Sequence, residues 1–390
     1  MNPRTRYLLK AVEDDLQEKM VFLGGPRQVG KTTLAKDLVG SQIRSRYYNW
    51  DNTAQRIEAL KGIWPADVEL IILDEFHKHS RWKTWLKGEY DVGRDRYKFL
   101  LTGSARLDLY RRGGDSLQGR YHYYRLHPFS IPELDSCLPT IRPGEELEFP
   151  SSWAKDAVDT LLHYGGFPEP FMRQSDRHLR RWHHERLERF FKEDVRDLTR
   201  IHDIGHLSLL AELLPDKVGS ILSINSLAED LQINFRTVAN WLETFERFYL
   251  CFRLSPYQTR KVASVRKEKK MYLWDWSSLK SPGARLENLV ASSLLKFCHY
   301  LYDHDGWDVE LYYLRDQTGR EIDFLVCQDR RPWFAVEVKS SGREISRQML
   351  YFKDRLNIPY CYHIALDALD DRIIQGVRSM PVGKFLRGLV

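Results

Sequence analysis

Long apolar runs are missing from this 390-residue chain: no stretch reaches the roughly 18 residues that a membrane-spanning helix needs. Cysteine is scarce and scattered. The five (Cys137, Cys251, Cys298, Cys327 and Cys361) form no CxxC pair and no Cys/His cluster, which argues against both a disulfide framework and a zinc site. Charge of one sign is also lacking. Sixty basic residues stand against 54 acidic ones, a net charge of +6, so nucleic acid is not implied by charge alone and the placement of the basic residues matters more. The start, Met1-Asn2-Pro3-Arg4-Thr5-Arg6, has no secretory pattern and leads into a charged amphipathic helix. The expectation is a soluble protein of the cytoplasm with no membrane partner.

A hydrophobic content of 43% excludes wholesale disorder, and the length exceeds what one core usually supports, so two to four domains are expected. Aromatic residues make up 13%, with 11 Trp and 20 Tyr. Such rings can stack on bases, but more often they fill cores.

The most informative stretch is Gly25-Pro26-Arg27-Gln28-Val29-Gly30-Lys31-Thr32-Thr33. Its first eight residues fit Gly, any four, Gly-Lys-Thr with no mismatch. An apolar run of strand type, Met20-Val21-Phe22-Leu23, precedes it, and Leu34, Ala35 and Leu38 follow at helical spacing. In such a loop backbone N–H groups converge on phosphate oxygens at a helix N-terminus. Lys31 would reach the β- and γ-phosphates of ATP, and the Thr32 hydroxyl would bind Mg2+.

A second strand, Leu70-Ile71-Ile72-Leu73, ends in Asp74-Glu75. Asp74 would hold the metal, and Glu75 would act as general base on water. A third strand, Tyr97 to Leu101, ends in Thr102-Gly103-Ser104, where Ser104 is the candidate sensor of the γ-phosphate. Three such strand ends describe an ATPase of the additional-strand class. Arg120, after Gly119, is a candidate finger toward a neighbouring subunit's nucleotide.

With Leu117-Gln118-Gly119-Arg120, Leu126-His127-Pro128-Phe129-Ser130 and Gly165-Gly166-Phe167-Pro168-Glu169-Pro170, these motifs resemble a family of prokaryotic AAA-type ATPases. The family's C-terminal domain, formerly of unknown function, is related to restriction-endonuclease folds. The resemblance runs from the phosphate loop to about residue 340, nearly the whole chain. It implies an α/β fold: a P-loop AAA-type parallel-sheet ATPase domain (1–134), a linker and helical lid (135–205), a winged helix-turn-helix (206–278) and a PD-(D/E)XK nuclease-like α/β domain (279–390). Homo-oligomers through the ATPase domain are expected.

The middle of the chain carries a long amphipathic pattern from Arg173 to Arg200. Its adjacent His183 and His184 read as surface histidines. A helix from Ser223, a turn at Gln232-Ile233-Asn234 and a helix from Phe235 make a helix-turn-helix pattern, with Asn234, Arg236, Thr237 and Asn240 as candidate groove contacts. Between two wing strands, Tyr257 to Lys270 form a basic hairpin suited to DNA phosphates.

The last region reads as helix, three strands, helix. It resembles the core of restriction-endonuclease-like nucleases. Glu337 and Lys339, two apart on a strand, share a face, and Asp323 can meet them from the next strand. Asp323 and Glu337 would bind Mg2+, with Glu287 from the helix as a third ligand or a supporting acid behind them, and Lys339 would orient the nucleophile or stabilise the transition state of DNA cleavage. Glu-x-Lys alone is a weak signal. It recurs at Glu268-Lys269-Lys270, in a loop where no site is expected. Two alternatives stay open: a DNA-binding switch with a silent nuclease fold, and a scaffold ATPase whose winged helix binds protein.

Overall fold

The computed structural model describes residues 6–39, 43–103, 117–135, 138–151, 155–195, 203–258, 269–340, 344–368 and 370–390. Ser104 and most of the basic hairpin, residues 259–268, lie outside the described residues. The chain divides into two compact units that meet in sequence at Pro128 and Phe129.

The first unit is built on five strands: β1 (Met20–Gly24), β2 (Ser45–Asn49), β3 (Leu70–Asp74), β4 (Lys98–Thr102) and β5 (Tyr121–Arg125). Their order is β2-β3-β4-β1-β5, and every neighbouring pair is parallel. β4 is therefore the additional strand, lying between the phosphate-loop strand β1 and the acid-bearing strand β3. Parallel sheets of this kind are covered on both faces, which is why β1 and β3 are buried throughout and read as apolar runs. Each of Leu70, Ile71, Ile72 and Leu73 is withdrawn from water, worth roughly 1.5–3 kcal/mol apiece. Register does the rest: Thr102 pairs with Leu23 on one side and Asp74 on the other, so the three strand ends are level.

The aromatic content goes largely into the cores. Phe22, Tyr48, Phe76, Trp82, Tyr90 and Phe99 are buried together in the first unit, with Trp50, Trp64 and Trp85 packed against them.

The second unit opens with short helices. The pattern from Arg173 to Arg200 predicts one helix, but the structure breaks it. A helix Pro168–Arg173 ends at Gln174, which is left-handed (φ 45°), and the Ser175 side chain caps a new helix, Asp176–Arg189, by accepting from the His178 N–H. A polar cap satisfies end N–H groups that a continuous helix would not present. A π-helical turn, Phe190–Val195, follows.

Helices Ile224–Leu231 and Phe235–Arg247 flank a left-handed Gln232 (φ 54°), as the sequence predicts. An antiparallel pair, β6 (Cys251–Leu254) and β7 (Lys270–Leu273), comes next. Then a long helix, Pro282–Asp305, leads to β8 (Val309–Arg315), β9 (Glu321–Gln328), β10 (Arg331–Lys339), β11 (Tyr360–Ala365), β12 (Arg372–Ile374) and β13 (Val377–Pro381). These six form one sheet in the order β12-β13-β11-β10-β9-β8, antiparallel from β8 to β10 and parallel from β10 through β11 to β13. Helix Arg347–Leu356 connects β10 to β11, the crossover that a parallel pair requires.

Candidate functional site

The phosphate loop leaves β1 at Gly24. Gly25 has φ 137°, and a Cβ there would stand 2.5 Å from the Leu126 carbonyl oxygen, so only glycine fits. Gln28 (φ 61°) and Gly30 (φ 97°) are also left-handed, the kind of turn in which backbone N–H groups form anion-binding concavities. Lys31 is buried at 8% exposure, and its Nζ donates to the Gly25 and Pro26 carbonyl oxygens at 3.0 and 2.7 Å. The helix after the loop, Thr33–Val39, is wound as a π-helix.

Asp74 is the focus of the strand ends. Its carboxylate accepts from Thr32 Oγ1 at 3.1 Å, from Tyr47 OH at 2.6 Å and from Thr102 Oγ1. Burial, and then the hydrogen bond to Asp74, push the Tyr47 hydroxyl well above the usual tyrosine range, so it stays a donor. The next residue, Glu75, takes a left-handed conformation (φ 59°) that its N–H fixes by donating to the Thr102 carbonyl at 2.9 Å. A non-glycine residue there is strained, a feature that clusters at functional sites. The Glu75 carboxylate lies 3.5 Å from His77 Nε2 and 3.6 Å from Lys78 Nζ.

The structure thus brings together Gly25 through Thr33 with Asp74 and Glu75. Sequence reasoning missed two supports. Arg6 is buried and donates to the Val29 carbonyl at 2.7 Å and the His127 carbonyl at 2.5 Å, tying the loop to the segment that follows β5. Tyr47 sits on β2, with no motif to mark it. Of the strand-end hydroxyls expected at β4, Thr102 donates to Asp74, and Ser104 lies outside the described residues. Arg120 stands apart. It immediately precedes β5, and its carbonyl accepts from the N–H of Met20, the first residue of β1, at the opposite end of that strand from the loop. Its guanidinium is bidentate to Asp91 at 2.8 and 3.1 Å.

The residues present fit Mg-ATP. A hydroxyl (Thr32) and a carboxylate (Asp74) converge within 3.1 Å, beside the left-handed turns of the loop and a buried lysine. Oxygen ligands of that pair suit Mg2+, and the Lys31 ammonium suits phosphate.

A second carboxylate cluster lies in the other unit. The β9–β10 register ends with Phe324 opposite Val336, which leaves Asp323 and Glu337 next along their strands. Asp323 Oδ2 accepts from the Val338 N–H at 2.8 Å. Glu337 is held by Lys339 Nζ at 3.0 Å and by the Ser346 hydroxyl at 2.6 Å. Glu287, on the long helix, accepts from Tyr272 OH at 2.8 Å. Gly219 (φ 73°) lies against it, where a Cβ would come 3.1 Å from the Glu287 oxygens.

Lys270 was expected in a solvated basic hairpin. It is 2% exposed, and its Nζ lies 2.6 Å from Glu321, 3.6 Å from Glu287 and 3.8 Å from Asp323. β7 carries it there, because its strand pairing turns the side chain inward. Burial, and then Glu287, raise the Asp323 carboxyl to about 7, which Lys270 only partly offsets. Burial pulls the Lys270 ammonium down, but Glu287, Asp323 and Glu321 together leave it above the ordinary lysine range, so it is charged at neutral pH.

The expected metal set Glu287, Asp323 and Glu337 does not close around one point. Among the described residues, no group of three or more His, Cys, Asp or Glu side chains could hold a metal ion. An ammonium stands between Glu287 and Asp323, and Glu337 is turned to Lys339 and Ser346. One smaller expectation also changes. His183 is half-buried rather than an open surface group: it lies 2.9 Å from the Ser277 hydroxyl and 3.5 Å from Asp275.

No helix among the described residues is long and apolar enough to cross a membrane. Residues 17–135 match a family model described as an AAA domain. Residues 155–281 and 282–385 match two models described as domains of unknown function (DUF8612 and DUF4143). An uncharacterised protein of Mycobacterium tuberculosis is 24% identical over 351 residues, covering 85% of this chain and 72% of that one. An uncharacterised protein of Methanocaldococcus jannaschii is 26% identical over 396 residues, covering 89% and 80%. Among solved structures, the Walker-type ATPase of Pyrococcus abyssi is similar at 16% identity and a TM-score of 0.38, covering 71% of this chain and 93% of that one. The N-terminal unit is therefore similar to AAA-type ATPase domains in sequence and has the strand order of an additional-strand ATPase.

Proposed function

We propose that this protein is an ATP-hydrolysing switch whose C-terminal unit engages DNA without cutting it. The observation that carries the ATPase reading is the meeting of Thr32, Tyr47 and Thr102 on the Asp74 carboxylate, directly beside the Lys31 loop. Bound Mg2+ would neutralise charge on the phosphates. The chain's own residues do the rest. Loop N–H groups and Lys31 bind and orient the triphosphate, Thr32 and Asp74 supply the metal's oxygen ligands, and Glu75 takes the proton from the attacking water. Arg120 stays in this reading as a finger toward a neighbouring subunit's nucleotide, which would require it to leave its partly exposed pair with Asp91.

DNA engagement rests on the helix pair Ile224–Leu231 and Phe235–Arg247 followed by the β6–β7 hairpin, which is the order of a winged helix. Arg236 and Asn240 are exposed on the second helix. Asn234 is exposed too, but its side chain already caps that helix by accepting from the Arg236 N–H at 2.8 Å. Assembly into homo-oligomers through the ATPase domain is part of the proposal and is tested by size measurement with and without ATP.

The test is ATP turnover and DNA binding by the whole chain. Turnover is expected with Mg2+ and is lost in Lys31→Ala. Duplex affinity is expected to fall steeply with salt and to drop roughly tenfold in Arg236→Ala. Turnover that survives Lys31→Ala sinks the first half, and no DNA affinity at low salt sinks the second in favour of a protein-binding helix pair. A second reading, DNA cleavage, is favoured by one observation, the shared face of Asp323, Glu337 and Lys339. Mg2+-dependent cutting that Asp323→Ala abolishes would establish it.

A further inference from the structure

We propose that the Lys270 ammonium is the resident cation of the carboxylate pocket formed by Glu287, Glu321 and Asp323, and that it excludes divalent metal from that pocket. The inference rests on the reading of a C-terminal unit that does not cut DNA, and supplies the physical cause.

Three observations carry it. The first is position: Nζ lies 2.6, 3.6 and 3.8 Å from oxygens of three separate carboxylates, one on the long helix and two on β9. The second is enclosure. Lys270 is 2% exposed, and its ammonium also lies 5.7 Å from the centre of the Tyr313 ring. The third is how firmly its backbone is held. Lys270 pairs with Leu254 in the hairpin and bridges to Ile221, and the Leu222 N–H donates to the Lys269 carbonyl at 2.9 Å. Beyond β6, Pro256 bridges to Tyr313 and the Tyr257 N–H donates to the Tyr313 carbonyl at 2.8 Å, which fastens the hairpin to β8. The lysine cannot leave by a rotamer change alone without stranding its charge in a buried place.

Geometry then excludes a metal. Mg2+ demands oxygens at about 2.0–2.1 Å in an octahedron, whereas these oxygens are spread around an ammonium at hydrogen-bond and ion-pair distances. A second cation beside Nζ would meet its repulsion in a poorly solvated pocket. Arg315 adds to the local positive charge, with NH1 2.8 Å from Glu321. The remaining pair is engaged elsewhere: Asp323 accepts from the Val338 N–H, and Glu337 is held by Lys339 and the Ser346 hydroxyl.

The experiment counts Mn2+ bound by nucleotide-free full-length protein, using electron paramagnetic resonance. Wild type and Asp323→Asn are expected to bind the same number of ions, and Lys270→Arg to behave as wild type. Lys270→Met is expected to gain one ion that wild type does not bind. Adding Asp323→Asn to Lys270→Met is expected to remove it. A wild-type Mn2+ site lost in Asp323→Asn overturns the proposal, as does a folded Lys270→Met that gains none. If Lys270→Met does not fold, Lys270→Gln takes its place, and the wild-type and Asp323→Asn pair decides the exclusion by itself. DNA cleavage read on the same samples separates the failures. Cutting by wild type sinks the silent reading, whereas a silent wild type with no gained ion in Lys270→Met sinks only the role of Lys270.

Discussion

Asp74 and Asp323 are both aspartates on sheet strands with a lysine in the same site, yet the two have been built to opposite ends. Asp74 accepts from three hydroxyls, those of Thr32, Tyr47 and Thr102, while Lys31 points its ammonium at loop carbonyls. Asp323 shares Lys270 with Glu287 and Glu321. Hydroxyl donors orient a carboxylate and leave its charge to be neutralised by an incoming ion. An ammonium neutralises it from within. The two regions teach that an acid and a lysine in the right pattern do not specify a metal site, because what matters is which group already faces the acid.

The strongest way to break this comparison is at the nucleotide end. Lys31→Ala is expected to lower ATP turnover by roughly 10²–10³-fold, since it removes a preorganised charge from the transition state. Glu75→Gln is expected to cost roughly 10²–10⁴-fold with nucleotide binding retained. Steady-state hydrolysis and a nucleotide-binding titration check both, and full activity in either variant would put the chemistry elsewhere.

At the other end, Lys270→Met is expected to destabilise the fold by about 2–4 kcal/mol in a urea titration, because it strands three carboxylates around an apolar side chain. The partial exposure of those carboxylates keeps the loss below the largest values seen for fully buried pairs. Adding Glu321→Gln is expected to recover part of it. No recovery would mean that the lysine acts by packing rather than by charge.

Tyr47→Phe sharpens the comparison more gently. It removes one neutral donor from Asp74, about 0.5–1.5 kcal/mol, so a roughly three- to tenfold loss of turnover is expected with the fold intact.

The smallest effect is a control within the second unit. Asp371 is bonded to Arg378 at 2.9 and 2.8 Å and to Lys384 at 2.7 Å, and these hydrogen bonds, Arg378 first, hold its carboxyl down to about 2. Its folded value lies below the ordinary aspartate value, so it stabilises the fold above about pH 4, and that share is lost as pH falls toward 2. Solvent screening brings the contribution to about 1 kcal/mol. Asp371→Asn is expected to cost about 1 kcal/mol at neutral pH and to flatten the pH dependence of unfolding between about pH 4 and pH 2, and an unchanged slope in that window would contradict the assignment.

Much of the nucleotide site is legible in the chain because its parts are local. The loop from Gly25 to Thr32 and the run Leu70 to Glu75 carry their own strand and turn signals. Arg6 and Tyr47 escape notice because nothing near them in sequence marks a contact with Val29 or Asp74. The break at Gln174-Ser175 falls at the very start of the amphipathic pattern, where apolar spacing does not mark which residue begins the helix. Strands β11 to β13 went unread, since they complete the sheet beyond the acids that drew attention.

The sequence by itself determined the phosphate loop, the two carboxylates at the end of β3, and the helix-and-strand order that places Asp323 beside Glu337. Those features follow from spacing along the chain, where neighbours in sequence share a turn or a face. Only the tertiary structure decided that Lys270, read as one more charge of a basic hairpin, folds inward. Long-range strand pairing buries its backbone against Leu254 and Ile221, and a buried ammonium must then find carboxylates, which it takes from residues that sequence reading had reserved for a metal.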